Sequence, residues 1–176
     1  MALEIEVDRG EAYRLGAAAL FVAASVIAAA LAFQYLGGYY PCPLCLMQRY
    51  AYYAALPLLF IALILVSGGK GSWAALIFFL VALAFLANAG LGVYQAGAEW
   101  KFWPGPEFCG TLQPLSGDTG NLLKDIETTK VVRCDDASWR FLGLSFAGWN
   151  VLTSLAIFAM SLRAAFAASG RNQILR

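Results

Sequence analysis

Four side chains in this sequence can do redox chemistry: Cys42, Cys45, Cys109 and Cys134. The first two form Cys42-Pro43-Leu44-Cys45, and Arg49 follows four residues later. The thiolate is the reactive form of cysteine, and a helix N-terminus stabilises it with free amide donors and partial positive charge. Two intervening residues let the sulfurs meet in a strained, exchangeable disulfide. Pro43 suits a first helical turn, where its missing donor is not needed. Arg49, at i+4 from Cys45, shares its helix face and could stabilise a thiolate one turn away.

Each feature also has a plainer meaning. A lone C-x-x-C could be half a metal site. Arg49 could snorkel to a membrane surface. Cys109 and Cys134 could form an inert staple. The 24 residues between that second pair, positions 110–133, lack the C-x2-C knuckle of a zinc ribbon. Histidine is absent, which removes a histidine base, histidine-ligated haem and any His-containing zinc site.

The elements that position these residues follow from composition. The chain of 176 residues is 61% hydrophobic and 13% charged, with a mean hydropathy of +0.67. Between Leu15 and Ala98 only Arg49 and Lys70 are charged, so the solvent for this stretch is lipid. A spanning helix needs about 20 apolar residues. Four segments qualify, at about 15–36, 46–67, 73–94 and 141–162. The fold class is therefore all-α: one integral membrane domain with four transmembrane helices. Connections fall at about 37–45 and 95–140, the second a long loop between helices 3 and 4. Small residues (the Ala-rich first span, Gly90, Gly92, Gly143, Gly148) would let helices approach. Asn88 and Asn150 should hydrogen-bond inside the bundle, and Pro57 should kink the second span. The first apolar stretch is too long, and its leader Glu4-Ile5-Glu6-Val7-Asp8 too acidic, for a typical cleaved signal. A net charge of +1 without a basic run gives no reason to expect nucleic acid.

Both cysteine-bearing connections follow odd-numbered spans, so all four thiols share one membrane face. The termini and Lys70 share the other. The Lys/Arg bias is small: Arg9, Arg14, Lys70, Arg163, Arg171 and Arg176 lie on the terminal side, against Lys101, Lys124, Lys130, Arg133 and Arg140 in the long loop. The six mostly flank spans through short segments, where the positive-inside rule applies best. The termini are thus expected to be cytoplasmic, with the cysteines in the oxidising compartment where disulfides persist.

The segment Cys42-Pro43-Leu44-Cys45-Leu46-Met47-Gln48-Arg49 resembles the C-x-L-C-x-x-E/Q-R signature of the disulfide bond formation protein B (DsbB) family. The stretch Cys134 to Leu144, with Trp139, Phe141-Leu142-Gly143-Leu144 and a following Trp149, resembles that family's segment after its last cysteine. The likeness extends from about Tyr13 to Arg163. It implies a bacterial inner-membrane thiol:quinone oxidoreductase with periplasmic loops. The Cys109–Cys134 disulfide would oxidise a soluble DsbA-type dithiol partner, with Cys109 taking the attack. Cys134 would exchange with Cys42, and Cys45 would be freed next to a quinone, ubiquinone or menaquinone, held at Arg49. Gln48 stands where some relatives have Glu, with little expected effect. A histidine near the quinone in some members has no counterpart here.

Energetics agree with a quinone acceptor. A DsbA-type couple lies near about −120 mV and structural disulfides below about −300 mV, an uphill gap of about 8 kcal/mol for two electrons. An ordinary disulfide could not drive that oxidation. The alternatives are a relative of vitamin K epoxide reductase, in which loop cysteines precede the C-x-x-C, and a non-enzymatic tetraspan scaffold.

Overall fold

The computed structural model describes residues 2–106, 110–111 and 132–170. Its helices are α1 (Ala2–Tyr35), α2 (Pro43–Ser67), α3 (Gly71–Glu99) and α4 (Phe146–Ala168). Long apolar runs with few charges make them: Arg9–Tyr35 and the whole of α2, α3 and α4 are long and apolar enough to cross a membrane. Consecutive helices pack side by side, and α4 closes the ring against α1. The result is the four-helix bundle expected from the sequence.

The bundle turns large apolar side chains outward. Phe21 is 74% exposed and Phe60 58% exposed, which suits a lipid surface where helices satisfy their own backbone groups. Inside, Leu59, Phe78, Phe85 and Ile157 pack among alanines such as Ala19, Ala23, Ala62 and Ala164. Small residues set the closest approaches. A Cβ at Gly16 would lie 2.6 Å from the Phe78 ring, and one at Gly92 would lie 2.8 Å from Val151 on α4. Gly90, expected to do the same, faces open space. Pro57 stands inside α2, which continues through it.

Among the helix boundaries that differ from the sequence reading, two shape the cysteine end of the bundle. α3 runs to Glu99 instead of ending near Tyr94, because Gln95 and Glu99, one turn apart, are buried against the bundle instead of facing water. α4 begins at Phe146, not Phe141. Strands β3 (Arg140–Phe141) and β4 (Leu144–Ser145) pair as a tight antiparallel hairpin. Its turn residues Leu142 and Gly143 have φ of 53° and 83°, as a two-residue hairpin turn with left-handed backbone requires. Ser145 then caps α4 by accepting the Gly148 N–H at 3.2 Å.

At one end, Arg163 of α4 pairs with Glu11 of α1 at 2.9 Å. At the other, the start of α2, the end of α3 and the start of α4 converge. Strands β1 (Gly110–Thr111) and β2 (Val132–Arg133) pair in the long connection at that end. Cys109, and the surface helix that Leu122, Leu123 and Ile126 suggest by their spacing, lie outside the described residues.

Candidate active site

Cys42 is the N-cap of α2, with extended backbone, and its sulfur accepts the Cys45 N–H at 3.2 Å. Pro43 occupies the first turn, as its missing donor allows. The C-x-x-C thus opens the helix, with a first-turn amide, the Cys45 N–H, directed at the Cys42 sulfur. The Cys42 thiol is held above the ordinary range, first by its hydrogen bond with Cys45 and then by burial.

Cys134 reaches the same place from the long connection. It is 1% exposed, is disulfide-bonded, and packs into a buried cluster with Cys42 and Leu44, with Cys45 against it. Cys42 and Cys45 are free thiols. Lys101, just past α3, fixes the segment after Cys134. Its Nζ donates to the Asp135 carbonyl at 2.7 Å and to Asp135 Oδ2 at 3.1 Å. Three of the four expected cysteines therefore meet at one end of the bundle.

A ladder of buried amides leads to them from mid-bundle. Asn88 donates to Ser154 Oγ at 3.0 Å and to Asn150 Oδ1 at 3.4 Å. Asn150 Nδ2 donates to Gln48 Oε1 at 2.7 Å. Gln48 Nε2 donates to Gln95 Oε1 at 2.8 Å. Gln95 Nε2 then faces Cys45 Sγ at 3.3 Å, Cys42 Sγ at 3.5 Å and Glu99 Oε1 at 3.3 Å. Each amide uses its acceptor on one side and its donor on the other, so the chain has one direction. The expected bonds of Asn88 and Asn150 are among these. Gln48 accepts from Asn150 and donates to Gln95 at once, which an ionised Glu in its place could not do.

A cavity of about 420 Å³ opens beside the sulfurs, lined by Cys42, Cys45, Gln48, Arg49, Gln95 and Glu99 on one wall. Phe33, Trp139 and Phe146 form an aromatic wall, with ring centroids 4.9 to 5.2 Å apart. Arg49 does not reach for Cys45. Its guanidinium donates to Gln34 Oε1 and, at 3.3 Å, to the Ala30 carbonyl of α1. Those bonds hold it at the cavity wall with further N–H donors left over. Aromatic faces, a fixed cation and a thiol on one wall suit a flat apolar ring that carries oxygen acceptors.

A family model described as "Disulfide bond formation protein DsbB" matches residues 13–164. The chain belongs to the DsbB family. Among curated relatives named "Disulfide bond formation protein B", that of Aromatoleum aromaticum is 31% identical over 147 residues, covering 80% of this chain and 86% of the relative. That of Methylococcus capsulatus is 32% identical over 157 residues, covering 79% and 85%. No solved structure gives a significant match. With its four membrane-length helices, this DsbB-family chain is a membrane disulfide oxidoreductase. Gln95 and Glu99 were placed in a loop by the sequence reading. Their signal was an i, i+7, i+11 polar series, Asn88, Gln95 and Glu99, on one face of an apolar helix.

Proposed function

We propose that the chain oxidises a periplasmic DsbA-type dithiol and passes the electrons to a membrane quinone, ubiquinone or menaquinone. One observation carries the reading: disulfide-bonded Cys134 packs against Cys42, while Cys45 and Arg49 line a single cavity.

The roles follow from that placement. Cys109 pairs with Cys134, which is disulfide-bonded while Cys42 and Cys45 are free thiols. Cys109 takes the attack of the partner's thiolate, and Cys134 is released beside Cys42. In the oxidised state of the C-x-x-C, the Cys134 thiolate attacks Cys42, breaking the Cys42–Cys45 bond, forming Cys42–Cys134 and freeing Cys45, which the Gln95 amide solvates. The partner's second thiol displaces Cys109, whose thiolate then retakes Cys134 and leaves the Cys42–Cys45 dithiol to be oxidised. Arg49, anchored on α1, orients an oxygen acceptor in the cavity. Quinone, when bound there, accepts two electrons and two protons. The cysteine face is periplasmic and the Glu11–Arg163 end cytoplasmic, in the inner membrane.

The test is oxidation of a reduced DsbA-type protein by the purified chain with a short-chain ubiquinone, followed by quinone absorbance. Loss of quinone absorbance matched mole for mole by disulfide in the partner is expected. Partner and quinone both unchanged would refute the reading.

A further inference from the structure

One buried acid at the site has no role in this scheme. Glu99, in the last turn of α3, is 8% exposed, and its Oε2 has no hydrogen-bond partner. An orphaned carboxylate oxygen is costly to bury. It lines the same cavity as Cys42 and Cys45. Gln95 donates to its other oxygen at 3.3 Å and to the Cys45 sulfur at the same distance, so one amide holds carboxyl and sulfur side by side. The Gln48 bond to Gln95 Oε1 keeps that amide from turning over.

The proposed reaction needs such a group. Oxidation of the Cys42–Cys45 dithiol by a quinone breaks two S–H bonds and forms one S–S bond. Two electrons move, and two O–H bonds form on the quinol. The protons must travel from sulfur to oxygen inside a cavity walled by apolar rings, and the chain has no histidine to carry them.

We propose that Glu99 is the proton-exchanging group of this site, carrying protons between the Cys42–Cys45 pair, the quinone oxygens and the aqueous boundary, with Gln95 as its positioning residue. The proposal rests on the thiol:quinone reading above. A Glu99 oxygen takes each sulfur-borne proton in turn and releases it to a quinone oxygen, so the carboxylate ends the cycle as it began. Its place at the C-terminal end of α3 lets it re-equilibrate with water. The titratable and charged groups around it and in the cavity are Cys42, Cys45, Arg49 and Tyr52 from the start of α2 onward, Tyr39 and Tyr40 before it, Asp136 in the segment after Cys134, and Arg140 on β3. Asp136 lines the same cavity, but Glu99 is the acid tied through the Gln95 amide to the Cys45 sulfur.

The experiment uses the full chain in lipid nanodiscs, wild type against Glu99→Gln and Glu99→Asp. Quinone reduction is followed over a pH series. Glu99→Gln is expected to lower the rate by about 10²-fold, the usual scale of a lost proton-transfer group, and to flatten the pH profile. Glu99→Asp should restore part of both. A second readout needs no quinone: the infrared difference between oxidised and dithiol protein should contain a carboxyl band that Glu99→Gln removes. Wild-type rate and pH profile in Glu99→Gln, or no carboxyl band in the wild type, would overturn the proposal alone. A wild type that reduces no quinone at any pH would overturn the functional reading and the proposal together.

Discussion

Replacing Arg49 by alanine tests the cavity most sharply. The guanidinium is half-buried and bonds to Gln34 Oε1 and the Ala30 carbonyl. A guanidinium has five N–H donors, so some remain for a ligand oxygen. A hydrogen bond from a charged donor is worth about 1.5–3 kcal/mol, and each 1.4 kcal/mol is about tenfold in affinity. Arg49→Ala should therefore raise the quinone KM by about 10–100-fold, with a smaller change in kcat if the contact exists before electron transfer. Steady-state rates against quinone concentration measure this at saturating reduced partner. The substitution also cuts the tie between α2 and α1, so Gln34→Ala is the control. It loosens the anchor, keeps the charge, and should raise KM by less. An unchanged KM in Arg49→Ala, or an equal rise in Gln34→Ala, would refute a direct contact and leave Arg49 as a strut between helices.

Other expectations follow from the same contacts. Given an oxidised DsbA-type partner, the Cys109 thiolate of Cys134→Ser should attack the partner's disulfide and give a mixed disulfide, visible on a non-reducing gel; the adduct mapping to Cys42 would reverse the assigned roles. Gln48→Glu leaves Gln95 Oε1 without its donor, so about 1–3 kcal/mol of stability should be lost, read as a lower thermal midpoint in one fixed detergent. Because the Cys42 pKa is raised, its thiolate fraction at a given pH is depressed. Its alkylation in the reduced protein, resolved by mass spectrometry, should rise only well above the ordinary thiol value of about 8.5. Ser145→Ala removes the cap of α4 and should cost about 1 kcal/mol.

What the sequence made legible was whatever one helix or one motif determines. The Cys42 cap with Pro43 follows from local backbone chemistry, and the spans follow from apolar length. The fourth span was misjudged at its start because Phe141, Leu142 and Leu144 look like helix by hydropathy alone. Only the left-handed turn at Leu142 and Gly143 reveals a hairpin. Gln95 and Glu99 were assigned to a loop because polarity near a span's end usually means water. Here their partners, Gln48 and the two sulfurs, lie on α2, about 50 residues away in sequence. Gln48 looked interchangeable with Glu for the same reason: its need to donate and accept together comes from α3 and α4. Arg49 was legible as an intramembrane charge, but its anchor on α1 was not, since no local spacing connects it to Gln34.

The account depends on Cys134 being able to hand its exchange to Cys42. The direct measurement is the full chain with Cys45→Ser and Cys109→Ser together, which leaves those two sulfurs as the only thiols. After mild oxidation and proteolysis, mass spectrometry should recover an intramolecular Cys42–Cys134 cross-linked peptide in high yield. Two free thiols, or only cross-links between separate chains, would contradict it.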